Sequence, residues 1–302
     1  MPDSDTAIPS LRGARPKAAL AAIIRALPTP SRSAVRAAIQ ALTGDRPSSD
    51  HDQDGPAPQG LIMGDIDLYW ENSFPLIEGW VNDRWREHLK LLNDTQNRLG
   101  ITGHIGEIGV FHGKLLIALA HLAQPGTKVT AIDVFDDQSK NIDGAGVGSL
   151  DQLTSNIDAH GPRSGLDYAF VKADSAALNA ADILKLGQDR GPFRLFSVDG
   201  CHTAEHTLND LLTAQDCLAP GGVIMLDDMF QAHWPGVTEA VGLFYSRYVP
   251  RVKPFLYCAH KMFFIGHGWH ADFLRLWSEQ FGQRPDAKLT QMYGNTFLSL
   301  FP

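Results

Sequence analysis

The 302 residues suffice for one large α/β domain with additional elements, and a hydrophobic share of 44% is ordinary for a soluble globule. No apolar run approaches the roughly 20 residues that cross a bilayer. Three cysteines without a CxxC pair, Cys201, Cys217 and Cys258, make neither a disulfide framework nor a zinc site, which suits a reducing cytoplasm. Residues 1–46 hold seven Lys or Arg against three Asp, a surplus of +4, so the rest carries −12 of the net −8. An acidic body argues against nucleic acid as substrate, because a phosphate backbone wants a basic groove.

Residues 16–27 and 31–43, Ala- and Arg-rich and separated by Pro28 and Pro30, read as two short amphipathic helices in a small element over 1–46, suited to docking or homo-oligomerisation. Residues 47–60, rich in Asp, Pro, Ser and Gly, read as a linker. From Leu61 to Gly100 the chain is aromatic: Tyr69, Trp70, Phe74, Trp80 and Trp85 fall within 17 residues, as a substrate wall or lid would require and as plain core filling also would. Trp80 to Leu99 has helical spacing.

The rest of the chain is organised around residues 104–133. An apolar run ending in Glu107-Ile108-Gly109 reads as a buried strand, Gly109 and Gly113 mark a tight turn, Lys114 to Leu122 reads as a helix, and Val129 to Ile132 is a strand closing on Asp133. In open parallel sheets ligands bind outside the strands' carboxyl ends, so a nucleoside-containing cofactor is the natural occupant. Bulky Phe111 stands where a pyrophosphate would need close approach. Glu107 would repel a phosphate and attract a cation, and S-adenosylmethionine carries an ammonium and a sulfonium.

Further on, Leu150 to Ala159 reads as a helix, Tyr168 to Lys172 as a third strand ending at Asp174-Ser175, and Ala176 to Leu186 as a helix. Phe193 to Val198 is a fourth strand closing on Asp199-Gly200-Cys201-His202, followed by a helix over Ala204 to Leu218. Pro220-Gly221-Gly222 turns into a fifth strand, Val223 to Leu226, ending at Asp227-Asp228. Val237 to Tyr248 reads as a helix; Lys253 to Cys258 and Lys261 to Gly266 read as a hairpin joined by Ala259-His260, with residues 269–302 a terminal helix and tail.

The turn around Gly109 resembles motif I of class I S-adenosylmethionine-dependent methyltransferases, with Phe111 in place of the usual middle glycine. That resemblance, over roughly residues 80–268, implies a Rossmann-like α/β fold: a seven-stranded mixed sheet, order 3-2-1-4-5-7-6, last strand antiparallel, helices on both faces, the cofactor domain spanning 101–268. It implies a cofactor site of Glu107, Gly109, Phe111, Gly113, Asp133 on the ribose, Asp174 and Ser175 by the adenine, and Asp199. Asp174 and Ser175 also fit a plain helix cap.

The run Asp-Gly-x-His, helix, Pro-Gly-Gly, strand, Asp-Asp resembles the metal-dependent O-methyltransferases of the macrocin type, which act on sugar hydroxyls of natural products, and the cephalosporin hydroxylase group. It implies Asp199, Asp227 and Asp228 as ligands of Mg²⁺ or another divalent cation, which offsets the mutual repulsion of three carboxylates. Where those enzymes carry an acid as base this chain has Cys201, so His202, with Asp199 beside it, is the catalytic candidate and His206 a further one. His202 as a helix cap or cofactor contact is the competing reading. The expected function is O-methylation of a small hydroxylated metabolite; a non-catalytic cofactor-binding protein and a nicotinamide oxidoreductase are the alternatives, the latter disfavoured by Glu107 and Phe111.

Overall fold

The computed structural model describes residues 65–301 apart from Ser164 and 186–190, so the expected helices and linker of 1–60 lie outside the described residues. The chain divides after Gln53, and residues 54–302 form one unit.

Five strands lie parallel in the order β3-β2-β1-β4-β5: β1 (His104–Ile108), β2 (Lys128–Asp133), β3 (Asp167–Lys172), β4 (Phe193–Val198) and β5 (Leu218–Leu226). Next to β5 comes antiparallel β7 (Lys261–Gly266), paired in turn with β6 (Val252–Cys258). The expected order 3-2-1-4-5-7-6 is present, but the sheet has nine strands, not seven. The expected terminal helix is present over His267–Phe281, and the tail after it folds as a hairpin, β8 (Ala287–Met292) and β9 (Asn295–Leu300). β9 adds parallel to β6, giving 3-2-1-4-5-7-6-9-8. The run Thr-Phe-Leu-Ser-Leu-Phe over 296–301, four apolar residues in six, carries the strand signal.

Flanking helices are α1 (Ile66–Asn72), α2 (Trp85–Leu99), α3 (Lys114–Ala120), α4 (Leu150–His160), α5 (Ala180–Lys185), α6 (Ala204–Cys217), α7 (Pro235–Arg247) and α8 (His267–Phe281). α2 begins five residues later than its periodicity suggests, and Trp80, Val81 and Asn82 ahead of it line the cavity instead. The helix expected over 176–186 is broken: Ser175–Ala177 is a single 3-10 turn that Asp174 caps through the Ala176 N–H, and α5 follows separately. The Pro220-Gly221-Gly222 segment is part of β5, not a turn before it, as an irregularity at which Gly221 takes φ +79°. A Cβ there would meet Ile101 at 2.5 Å, so only glycine fits.

The core lies against both sheet faces. Leu195, Phe196, Ile224, Val241 and Phe244 are inaccessible to solvent, as expected for central parallel strands sandwiched by helices. Among the described residues no helix is long and apolar enough to cross a membrane.

Candidate active site

The carboxyl ends of β1, β2, β4 and β5 open into a cavity of about 740 Å³. Its floor depends on one glycine. Gly109 follows β1 at φ +81°, and a Cβ there would fall 1.6 Å from the Asp199 carbonyl oxygen, so β1 and β4 end in close contact only because residue 109 has no side chain.

On the β2 side, Asp133 accepts from the Phe111 N–H (2.8 Å) and the Phe135 N–H (2.6 Å). Asp133 lines the cavity, and a carboxylate oxygen has more acceptor capacity than one N–H donor uses, as a diol requires. Burial raises its pKa and these N–H donors oppose the rise. Phe111 sits at φ +52°, stacks on His112 (3.8 Å) and meets Trp80 in a tilted contact (5.1 Å). Trp80 and Trp85 line the cavity, whereas Tyr69, Trp70 and Phe74 are buried among themselves and against α3, where the Tyr69 hydroxyl donates to the Lys114 carbonyl. The aromatic segment thus divides between wall and core.

Asp174 and Ser175 line the cavity beyond β3. Ser175 Oγ donates to buried Asp210 Oδ2 at 3.1 Å, and Asp174 is 3.5 Å from His206 Nε2. His206 is thereby held at this end by Asp174 and Thr203 Oγ1. Two expected contacts fall elsewhere. Gly113 is not among the lining residues; it enters α3 at φ +86° and leaves room for Leu153 of α4. Glu107 is 2% exposed within β1, beneath the floor, and does not line the cavity. Burial pushes its pKa up to about 8 against the opposing pull of Lys261.

β4 and β5 supply the remaining acids. β5 ends at Leu226, and Asp228 takes a left-handed conformation, φ +55°, with its N–H donated to Asp227 Oδ1 at 2.9 Å. Adjacent residues on a regular strand point to opposite faces; this turn is what brings Asp228 round to Asp199. The cluster differs from the expected triplet, however. Asp199, His202 and Asp228 each offer a ligand atom within 4.8 Å of the others, while Asp227 Oδ2 faces Lys261 Nζ at 3.0 Å. Asp199 is raised well above the ordinary carboxylate range by burial and then by its acidic neighbours, chiefly Asp227.

His202 is held on three sides. Nδ1 and the backbone N–H both lie 2.7 Å from Asp143 Oδ2, Nε2 lies 2.9 Å from Asp228 Oδ2 and 3.9 Å from Asp199 Oδ1, and the ring stacks on Trp234 at 4.2 Å. Burial opposes protonation, yet the hydrogen bonds to Asp228 and Asp143 lift the imidazole pKa above its ordinary value. Thr203, not His202, caps α6. Asp143, Trp234 and Lys261 escaped sequence reasoning. Lys261 alone left a trace, as a charge at the head of the apolar run Met-Phe-Phe-Ile.

Residues 107–229 match the family model described as a methyltransferase domain. The Gly109 turn and Asp133, which faces the cavity, both lie within that matched stretch. Many solved structures are similar to this chain, and three illustrate the likeness. They are the O-methyltransferase NovP (14% identity, 60% of this chain and 78% of that one, TM-score 0.49), the TDP-rhamnose 3′-O-methyltransferase CalS11 of calicheamicin biosynthesis (18%, 81% and 99%, 0.47), and the mycinamycin-pathway methyltransferase MycE with Mg, S-adenosylhomocysteine and mycinamycin VI (17%, 67% and 54%, 0.44). Identities this low and TM-scores below 0.5 bear on no residue's role. The comparison with curated protein sequences gives no match.

Proposed function

We propose that this protein methylates a hydroxyl oxygen of a small metabolite, a sugar or another natural product, with His202 as the base. The observation that carries the reading is the placement of His202: one ring nitrogen is anchored by Asp143, and the other faces Asp199 and Asp228 at the cavity's edge. The anchoring fixes the ring so that Nε2 is the atom that exchanges a proton.

Bound S-adenosylmethionine supplies an electrophilic methyl group. Asp133 would hold its ribose hydroxyls, with Gly109, Phe111, Asp174 and Ser175 around it. Glu107, set below the floor, would act through charge, not contact. The donor set also suits a divalent cation, since two carboxylates and an imidazole converge where their own repulsion calls for positive charge. Asp199 and Asp228 would hold such an ion, which when bound acidifies a hydroxyl and orients it. Trp80 and Phe111 supply an apolar side to the cavity.

Chelation tests the reading. Methyl transfer to a pool of hydroxylated metabolites should fall in excess chelator and return with Mg²⁺ or Mn²⁺, while S-adenosylhomocysteine affinity stays unchanged. Full transfer with no metal detectable by elemental analysis would sink the ion and leave His202 acting alone.

A further inference from the structure

Glu107 within β1, Asp199 after β4 and Asp227 after β5 lie in one another's electrostatic field, and the buried Lys261 faces all three. Lys261 opens β7 and is 1% exposed. Its Nζ lies 3.0 Å from Asp227 Oδ2 and 4.3 Å from the centre of the Trp85 ring, in the field of Asp199 and Glu107 as well. A buried ammonium is costly unless opposite charges are fixed around it, so its placement is set by the acids it meets. Trp85 is itself fixed, donating its indole N–H to the Cys258 carbonyl of β6.

The consequence falls on Asp227. Its Oδ1 accepts the Asp228 N–H and its Oδ2 is taken up by Lys261, so both oxygens are engaged within the protein. Asp228, by contrast, turns to His202 and Asp199. Resting on the proposed divalent ion, we propose that Lys261 is a resident cation that draws Asp227 away from that ion. Asp199 and Asp228 are then the carboxylate ligands, and Asp227 is a positioning residue that shapes the left-handed turn presenting Asp228.

Mn²⁺ titration followed by the free-ion spin-resonance signal, in the full chain saturated with S-adenosylhomocysteine, tests this. Asp228→Asn should weaken Mn²⁺ binding by more than about tenfold, and Asp227→Asn should leave it within about threefold of the parent. Lys261→Met frees Asp227 to reach the ion and should tighten binding by about threefold or more, a change that a merely structural lysine would not produce. If Lys261→Met does not fold, the paired variant Asp227→Asn with Lys261→Met removes both charges together and should bind Mn²⁺ within about threefold of the parent. Loss of Mn²⁺ in Asp227→Asn, or in the paired variant, to the extent seen in Asp228→Asn would overturn the proposal while leaving the ion in place. A parent protein that binds no Mn²⁺ would overturn the ion reading and this proposal together.

Discussion

Asp133 braces the fold and faces the cavity through the same carboxylate. It pins the backbone of Phe111 and Phe135, both in left-handed conformations that cost energy for side chains of that size, and it faces the cavity where a ribose would lie. Asp133→Ala should weaken S-adenosylhomocysteine binding by at least tenfold, about 1.4 kcal/mol or more, in calorimetric titration; unchanged affinity would remove the ribose assignment. Asp210 behaves differently. Burial pushes its pKa up from 3.8 to about 7, against the hydrogen bonds of Ser175 and Asn209. An acid whose folded pKa is raised holds its proton while the unfolded chain has released it, so stability falls as pH rises from about 4 to about 7 and is level above. Asp210→Asn keeps the Ser175 contact without the charge, and should gain stability over the parent in urea unfolding at pH 8 and gain less at pH 5. An equal difference at both pH values would contradict the assignment. Asp199, His202, Asp228 and Asp133 were legible because each ends a strand or sits beside such an end. Asp143 was not, because it reaches His202 across 59 positions from an irregular loop, a contact that no local pattern announces.

At the scale of elements, apolar runs bounded by Gly, Pro and Asp marked β1, β2 and β4 closely, since buried parallel strands read as continuous apolar segments. Prediction faltered where tertiary contact outweighed local signal, as at Gly221, whose φ +79° keeps β5 going through a sequence that reads as a turn. The largest miss was β8 and β9. Ionic contacts from Arg84 to Asp286 and from Arg284 to Glu87 tie the approach to this hairpin back to α2, partners some 200 residues apart. β9 buries Phe297, Leu298 and Leu300 against β6 and its surroundings. At about 1.5–3 kcal/mol for each large apolar side chain buried, their loss rivals a whole domain's stability of about 5–15 kcal/mol. A chain ending at Gly282 should therefore be insoluble or lack a cooperative thermal transition by circular dichroism. A soluble truncation melting at the parent's temperature would show the hairpin to be an accessory.

For the molecule as a whole, charge and composition separate residues 1–46 from the acidic remainder, and among the described residues the cavity lining begins at Trp80. The contacts that hold α1 and Phe74 ahead of that lining also come from the later chain: Lys114 against the Phe74 ring, Asp83 accepting from the Trp70 indole, and Arg86 and Lys90 paired with Asp67. Since Asp65 caps α1 through the N–H groups of Asp67 and Leu68, a chain starting at Gly60 retains the first described helix with its cap. Such a variant should bind S-adenosylhomocysteine with the parent's Kd in calorimetric titration. Its oligomeric state is a separate readout: if the basic, Ala-rich segment is an association element, light scattering should report a smaller species than the parent with no change in cofactor affinity. A soluble truncation with a cooperative melt that fails to bind S-adenosylhomocysteine would show that residues 1–59 belong to the cofactor site and that the chain does not divide ahead of Gly60.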